Sequence, residues 1–318
     1  VLGFIEMIDQ VNNVLDIIRS YLVNRFSLGT RLWLFSLLLK YHLLKTASPL
    51  IIYTAWNSKI SGYERQEKLI WSKNFDALIL LDACRYDVFS IVVYEYLDGR
   101  LKPVVSPASY TTSWLRHVWS NKIWNDIVYV SATLFVNKRG LFKEFDARDK
   151  FLHIEEVWDW GWSKDLAMVP PSKVNLAVKI AMTKMKIRGF RYRRDYRLVV
   201  HYIQPHVPYI VFKNTFALIH QYKKMGYKEL SKFTLSHLLL GLLKETIIDN
   251  NEVSKVLRRA YEHNLRWVLK YVAELASYLD GRIVITSDHG ELLGEYGLYF
   301  HPDVPLPQLR LVPWFVVR

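Results

Sequence analysis

"RIVITSDHGELLGEYGLYFH", residues 282–301, begins as a short run of apolar, mostly β-branched residues and continues into a polar loop. A run of this kind is typical of a strand that is buried on both faces of a sheet. The loop after it is rich in side chains able to bind a metal ion: Asp288, His289, Glu291, Glu295 and His301. The stretch therefore predicts a buried strand with a candidate metal site at its exit.

Other apolar runs of similar length recur along the chain. They are "FDALILLD" (75–82), "DIVYVSA" (126–132), "RLVVHYI" (197–203) and "VPWFVV" (312–317). Helical patterns lie between them, the clearest over 253–279 with one broad apolar stripe. Strands that alternate with helices predict an α/β fold, with a mostly parallel central sheet and helices on both faces.

Polar side chains follow several of these strands. Asp82 ends the first run, Asp288 and His289 follow "RIVITS", and "HYIQPHVPY" places His201 and His206 at the end of a third. Because the carboxyl ends of parallel strands meet at one edge of a sheet, these groups are expected to converge. One charged residue at a strand end is commonly just solvated. Three such exits together favour a metal site.

A candidate nucleophile lies in "SPASYTTSWLRHVW", residues 106–119. Thr111 or Thr112 is predicted to be the N-cap of a helix that starts with "SWLRHVW". A hydroxyl at a helix N-terminus meets the positive end of the helix dipole, where a phosphate or sulfate can also bind. Bound to a divalent metal, such a hydroxyl would lose its proton more readily and attack phosphorus. The alternative is an ordinary helix cap.

The charge of the chain favours anionic partners. The formal net charge of +13 over 318 residues suits phosphate esters, acidic lipid headgroups or nucleic acid. The basic, aromatic tract over 184–197 is either a surface for such partners or a solvated connector. The single cysteine, Cys84, excludes an internal disulfide and a multi-cysteine metal cluster.

Residues 1–60 differ from the rest and are predicted to form a helical arm. The apolar run from Leu32 to Leu39 is followed by Lys40, so it is shorter than the roughly 20 apolar residues of a membrane span. A basic, aromatic segment lying in a membrane interface fits it, as does an arm packed on its own domain or on a partner subunit. We expect peripheral membrane association on an undetermined side, and one catalytic domain over 61–318.

The motifs, in order, resemble the alkaline phosphatase/sulfatase superfamily, especially its archaeal sulfatase-like branch. The resemblance covers about residues 70–318 and rests on "LLDACRYD", "SPASYTTSWL", "HYIQPHVPY", "AYEHNLRWVL" and "VITSDHGELLGEYGLYFHP". "GEYGLYFH" is also similar to lipid A phosphoethanolamine transferases. "DACRYD" follows the D-x-x-R-x-D pattern of nucleotide pyrophosphatases and GPI-anchor phosphoethanolamine transferases. An alkaline phosphatase-like fold is what the resemblance implies.

The same resemblance implies roles for particular residues. The metal ligands would be Asp82, Asp288, His289 and Thr111, with Thr111 as the nucleophile and Thr112 as its alternative. The resemblance implies that His206 and His301 serve the substrate anion or a second metal. With His201 and Thr112 they form the predicted substrate-binding set. Arg85 and Asp87 would brace the strand exit, and Glu291 and Glu295 the loop.

Departures from the superfamily pattern argue against a formylglycine sulfatase and against a two-metal site. Cys84 lacks the C-x-P-x-R context of formylglycine sulfatases, and Ser106 has no arginine four residues on. "HYIQPHVPY" also lacks the Asp-x-x-x-His pair of two-metal phosphatases, so one tightly held metal is predicted.

The predicted function is that of a metal-dependent hydrolase or transferase acting on phosphate esters, with a lipid-linked headgroup as one substrate. The cofactor would be a divalent ion: Zn, Mn, Mg or Ca. The alternatives are a sulfate ester hydrolase and a non-catalytic, membrane-associated scaffold of the same fold. Nucleic-acid binding ranks third because it rests on charge alone.

Overall fold

The structure is a computed structural model that describes residues 60–214, 235–247 and 249–318, together with Gly29, Trp33 and Ser36. The arm predicted over residues 1–60 therefore lies outside the described residues, except for these three and Ile60. The ring of Trp33 packs edge-on against Tyr299, with centroids 6.0 Å apart. Within the described part of the chain, no helix is long and apolar enough to cross a membrane.

Seven strands form one mixed sheet in the order β2-β9-β6-β1-β5-β3-β4. Their bounds are β1 Ala77–Leu81, β2 Gly99–Val105, β3 Trp124–Ser131, β4 Phe151–Glu156, β5 Arg197–Tyr202, β6 Ile283–Ser287 and β9 Leu311–Val317. β7 (Leu292–Leu293) and β8 (Tyr299–Phe300) pair separately as an antiparallel hairpin. The pairs joining β6, β1, β5, β3 and β4 are parallel, whereas β9 runs antiparallel to β6 and β2. The predicted mostly parallel central sheet is confirmed.

Helices cover both faces of the sheet, as predicted. Numbered along the described residues, they are α1 Gln66–Trp71, α2 Tyr86–Val92, α3 Thr111–Trp119, α4 Val157–Trp160, α5 Pro171–Ile187, α6 Leu235–Thr246, α7 Asn250–Tyr278 and α8 Pro307–Arg310. α1 and α3 pack on one face through buried side chains that include Ile70, Trp114 and Trp119. α2, α5, α6 and α7 pack on the other.

The middle strand shows why its sequence is continuously apolar. Leu78 and Leu80 of β1 join the cluster under α1 and α3, while Ile79 and Leu81 join the cluster under α2, α5 and α7. All four side chains are fully buried. Each contributes about 1.5–3 kcal/mol through burial of apolar surface. A strand that is covered on both faces has no solvent-facing side, so its sequence lacks the usual alternation of apolar and polar residues.

The two strands of the seven-stranded sheet that were not predicted, β2 and β4, lie at its two edges. β2 alternates between half-buried and exposed residues before ending in Val104 and Val105. β4, "FLHIEE", carries three polar residues in six. An edge strand is less covered and its sequence is correspondingly less apolar. The continuous apolar pattern that marks β1, β5 and β6 is therefore missing from both.

The start of α3 corrects one prediction. The helix begins at Thr111, and its N-cap is Tyr110 in extended conformation, φ −155° and ψ 156°, rather than Thr111 or Thr112. Neither threonine caps the helix, because both lie inside its first turn and their hydroxyls contact groups from other parts of the chain. This places Thr111 at the end of the helix that faces the carboxyl ends of the strands.

Candidate active site at the ends of β1, β5 and β6

The turn after β1 is held by a tyrosine from α7. Tyr261 Oη donates a hydrogen bond to the carbonyl of Ala83 and accepts one from the backbone N–H of Arg85, each at 2.8 Å. Ala83 has φ +59°, a left-handed conformation that is costly for a residue with a side chain. The backbone N–H of Asp82 donates to the Tyr202 carbonyl at 3.1 Å. These contacts fix Asp82 at the strand exit.

Asp288, directly after β6, is oriented by backbone donors. Its Oδ1 accepts hydrogen bonds from the N–H groups of Ala83, at 3.1 Å, and of His289, at 2.9 Å. Its Oδ2 finds no hydrogen-bond partner among the residues that the structure describes. Ser106 Oγ donates to the Asp288 carbonyl and ties the loop to the segment before α3. Oδ1 thus holds the side chain in place through backbone hydrogen bonds, and Oδ2 faces the candidate site.

His289 presents a nitrogen lone pair to the same space. Its Nδ1 lies 2.8 Å from the Gly290 carbonyl, which can only accept, so Nδ1 carries a proton. In the neutral ring Nε2 is then unprotonated. Nε2 lies 3.6 Å from Asp82 Oδ1 and 3.4 Å from Asp288 Oδ2. The imidazole and both carboxylates therefore turn acceptor atoms toward one another.

The two threonines of α3 point to different places. Thr111 Oγ1 lies 3.2 Å from His289 Nε2, inside the group of acceptors. Thr112 Oγ1 donates to Glu144. The structure brings Thr111 together with Asp82, Asp288 and His289, whereas the Thr112 hydroxyl is occupied by a residue outside this group.

His201 approaches the same carboxylates from β5. Its side chain is fully buried, and its Nδ1 lies 3.0 Å from Tyr129 Oη. Asp82, His201 and Asp288 each offer an atom able to bind a metal, and these atoms lie within 4.8 Å of one another. The tight grouping joins residues from three neighbouring strands, as expected from the strand exits.

A second group of such residues borders the first. His206, Glu291 and His301 also offer atoms that lie within 4.8 Å of one another. The two Nε2 atoms of His206 and His301 are 2.9 Å apart, and Tyr209 Oη donates to Glu291 Oε2 at 3.2 Å. The rings of His289 and His301 have centroids 4.8 Å apart, which joins the two groups into one site.

The two central carboxyl groups, Asp82 and Asp288, differ in pKa. Burial first, and then the charge of Asp288, raise the pKa of Asp82 well above its usual value. Burial also opposes ionisation of Asp288, but His289, His201 and the backbone N–H of Ala83 outweigh it, so its pKa lies below the usual value. The pair therefore ionises in two steps, Asp288 first.

The surrounding titratable groups are held neutral by the same burial. Burial raises the pKa of Glu291 to about 8, partly offset by the hydrogen bond from Tyr209. Burial lowers the pKa of His201 to about 4, and burial together with His289 lowers the pKa of His206 to about 4. Neutral imidazoles are the form in which histidine binds metals.

The residues at this site fit a divalent metal ion. Asp82 Oδ1, Asp288 Oδ2 and His201 Nε2 are buried polar atoms without a hydrogen-bond partner in the described part of the chain. Burying acceptors that face one another costs free energy unless a cation or proton lies between them. Carboxylate oxygens and imidazole nitrogens are common protein ligands of divalent metal ions.

Two site residues were not predicted as such. Tyr129 lies on β3, and Glu291 was predicted only to brace its loop, although it is fully buried beside His206 and His301. The signal for Glu291 is its place in an otherwise apolar stretch, "GELLG", two residues after His289. No sequence signal marks Tyr129. It comes near His201 only because β3 pairs with β5 in a register that sets Tyr129 beside Val199 and Ser131 beside His201. The brace predicted for Arg85 is present, with ion pairs to Asp87 and Glu295 at 2.6 Å each.

No family model and no curated protein matches the chain. Among solved structures, the soluble domain of lipooligosaccharide phosphoethanolamine transferase A from Neisseria meningitidis is similar at 12% identity, covering 75% of each chain with a TM-score of 0.46. A putative sulfatase from Bacteroides fragilis is similar at 12% identity over 76% of this chain and 67% of that one, with a TM-score of 0.42. A phosphonate monoester hydrolase from Silicibacter pomeroyi is similar at 11% identity over 75% and 67% of the two chains, with a TM-score of 0.36.

The fold and the site together define an α/β protein with a candidate metal centre at the carboxyl ends of its central strands. The strand order of this chain establishes the fold class, and the side chains grouped at the strand ends are the basis for assigning a function.

Proposed function

We propose that this protein is a metal-dependent enzyme that acts on phosphate esters, with Thr111 as the nucleophile. The observation that supports it most is the contact of 3.2 Å between Thr111 Oγ1 and His289 Nε2, beside two buried carboxylates. A hydroxyl in this position is surrounded by groups that can accept its proton. It also lies at the N-terminal end of α3, where the helix dipole favours an anion.

Asp82, Asp288, His289 and Thr111 would hold the metal ion. When bound, a divalent ion lowers the pKa of a hydroxyl and offsets the charge of a phosphoryl group. Asp82 is the carboxylate we favour to take up the Thr111 proton, because its raised pKa makes it the stronger base of the pair once it is ionised.

The first step would be attack of Thr111 Oγ1 on phosphorus. The bond from phosphorus to the leaving oxygen breaks, and the leaving alcohol takes a proton from His301, whereas the neutral His206 would steady the phosphoryl oxygens. Both rings are partly exposed and face each other at 2.9 Å, so they border the space where a substrate would enter. The product of this step is a phosphothreonine and a free alcohol.

The second step would release the phosphoryl group. Water or an acceptor alcohol attacks the phosphothreonine, the bond to Thr111 Oγ1 breaks, and the hydroxyl regains its proton. Water gives phosphate, and an alcohol gives a new ester. The same residues therefore serve hydrolysis and transfer. Whether water or an acceptor alcohol reaches the phosphothreonine decides which of the two reactions occurs.

The substrate class we favour is a phosphate ester carried on a lipid or a lipid-like headgroup. The net charge of +13 and the basic, aromatic segment within residues 1–60 support an enzyme that works at an anionic membrane surface. The protein would then be peripherally associated with the membrane.

The proposal is tested by metal analysis of the purified protein together with turnover of p-nitrophenyl phosphate, its diester and the corresponding sulfate. We expect a bound divalent metal and faster turnover of a phosphorus ester than of the sulfate. Thr111→Ala should lose at least about a hundredfold in turnover, whereas Thr112→Ala, the matched control, should keep it. Trapped wild-type enzyme should carry a phosphate on Thr111, detected by mass spectrometry.

Two results would contradict the proposal in different ways. Unchanged turnover in Thr111→Ala would remove Thr111 as the nucleophile. A purified protein without metal and without turnover of any of the three esters would favour a non-catalytic role for the same fold.

A further inference from the structure

His201 has no exposed surface, so its role depends on its contacts inside the protein. Its ring lies between the aromatic side chains of the α3 face and the two carboxylates, with Trp114 at a centroid distance of 6.5 Å. It sits in β5 between Leu80 of β1 and Ser131 of β3 in the strand register. A histidine in so apolar a setting needs a polar partner for each ring nitrogen.

One of its nitrogens has such a partner. Nδ1 lies 3.0 Å from Tyr129 Oη. Nε2 is buried and lacks a hydrogen-bond partner in the described residues, and His201 belongs to the group whose members each offer a metal-capable atom within 4.8 Å of the others. The two other members of that group, Asp82 and Asp288, each have one carboxylate oxygen in the same situation.

A hydrogen bond from His201 to a carboxylate is the competing explanation. It would require a proton on Nε2 and a donor geometry toward Asp82 or Asp288, and the described contacts of Nε2 include no such bond. Buried acceptor atoms that face one another repel unless a cation is placed among them. A metal-binding histidine usually donates its other ring N–H to an oxygen acceptor, and Tyr129 Oη can be that acceptor for Nδ1 of His201.

We propose that His201 binds the metal ion through Nε2, together with Asp82 and Asp288, and that Tyr129 is the residue that positions its ring. The inference rests on the metal that the proposed function requires, and it adds an internal imidazole to the ligands Asp82, Asp288, His289 and Thr111. Tyr129 acts through His201 and does not touch the metal.

An imidazole from His201 among the ligands would affect which divalent ion binds at the site. Magnesium and calcium prefer oxygen ligands, whereas zinc and manganese accept imidazole nitrogen. Two imidazoles with two carboxylates therefore favour zinc or manganese over magnesium or calcium at this site.

The test measures metal binding rather than turnover. The chain is prepared as wild type, His201→Gln, Tyr129→Phe and His117→Gln, where His117 is an exposed histidine of α3 that serves as the control. Affinity for Zn²⁺ and Mn²⁺ is measured by competition with a chelator, and the visible spectrum of the Co²⁺-loaded protein reports the ligands. Circular dichroism checks that each variant is folded.

We expect His201→Gln to lose more than about a hundredfold in metal affinity and to change the Co²⁺ spectrum. Tyr129→Phe should lose about 10- to 100-fold, the range for a group that orients a metal ligand. His117→Gln should match the wild type.

The wild type alone supplies a second measurement that does not depend on the folding of a variant. Pulsed electron paramagnetic resonance of the Mn²⁺-loaded protein should detect two bound imidazoles, from His201 and His289. A single imidazole, or wild-type affinity in folded His201→Gln, overturns the inference while leaving the proposed function intact. A wild type that binds no divalent metal overturns both.

Discussion

Gly290 separates His289, whose imidazole faces the carboxylates, from Glu291 in the neighbouring group. Its carbonyl accepts the proton of His289 Nδ1 at 2.8 Å, and its N–H donates to the Leu309 carbonyl at 2.8 Å. A Cβ added here would lie 2.0 Å from the backbone oxygen of Gln308, much closer than atoms can approach. Only glycine allows the loop to pack this closely against the chain before β9.

Gly290→Ala is therefore expected to destabilise the protein by about 1–3 kcal/mol and to weaken metal binding, because His289 must move with its neighbour. Urea unfolding and metal titration measure the two effects. Gly62→Ala is the control, since a Cβ at Gly62 would meet nothing within 4 Å. Equal stability and equal metal affinity in the two variants would show that the loop adapts freely.

Thr111 illustrates what could not be predicted for a single side chain. Thr111 and Thr112 were predicted to lie at a helix start, and that location is right to within two residues. The partner of the Thr111 hydroxyl, His289, lies 178 residues further along the chain. Local capping preferences do not include such a partner, so the predicted cap was wrong. The role of Thr111 at the site stays a prediction.

Arg85 joins the beginning of α2 to the loop after β6. Its guanidinium is 3% exposed, and it pairs with Asp87 and Glu295 and donates to the Glu291 carbonyl at 3.0 Å. Glu295 is also paired with Arg258 of α7, at 2.8 Å. The loop after β6, which carries Glu291 and His301, is thus held by charge pairs from Arg85 at the start of α2 and from Arg258 of α7.

Removing Arg85 should cost far more than removing an exposed arginine. Arg85→Met leaves Glu295 half paired in a largely buried place, so we expect a loss of about 3 kcal/mol in the free energy of unfolding. Arg266→Met removes an exposed pair with Glu95, for which less than about 1 kcal/mol is expected. Urea unfolding of both variants measures the difference, and similar losses would argue against a structural brace at Arg85.

β4 is tied to α5 by a carboxylate whose pKa is low. Burial of Glu155 opposes its ionisation, but hydrogen bonds from His153 and from Lys184, the latter at 2.7 Å, lower its pKa from 4.5 to about 2. The folded state therefore binds this proton less readily than the unfolded state. The stabilisation from Glu155 is present above pH 4.5 and is lost as the pH falls toward about 2.

Glu155→Gln should accordingly be less stable than the wild type at neutral pH, with a difference that shrinks on acidification through this range. Urea unfolding midpoints at several pH values between neutrality and the acid limit measure it. Glu252→Gln, which alters an exposed pair on α7, provides the control with little difference at any pH. A difference for Glu155→Gln that is constant with pH would contradict the assignment.

Some of the basic side chains that give the molecule its positive net charge form ion pairs within the protein. In the tract over 184–197, Arg197 pairs with Asp126, which also binds Lys73 at 2.8 Å, and Arg193 pairs with Asp76 at 3.6 Å. These contacts support the solvated-connector interpretation for part of the tract. The overall excess of +13 remains after such pairs are counted, since it already includes every acidic residue.

The full chain is therefore expected to bind vesicles that contain phosphatidylserine more strongly than vesicles of phosphatidylcholine alone. Raising the salt from about 0.1 M to about 1 M shortens the Debye length from about 10 Å to about 3 Å and should release most of the protein. Co-sedimentation measures both effects. Equal binding to neutral and anionic vesicles, or none to either, would contradict the predicted membrane association.

The sequence by itself determined the α/β class, five of the seven strands of the central sheet, the long helix α7, and the residue types at the strand exits. These features obey local rules: a strand covered on both faces must be apolar throughout, and parallel strands place their carboxyl ends together. Tertiary structure decided the rest, namely the two edge strands, the start of α3, and the contacts of Thr111, His201 and Glu291. Each of these depends on the register and burial of segments far apart in the chain, and a hydroxyl, imidazole or carboxyl group takes its role from the neighbours that folding brings to it.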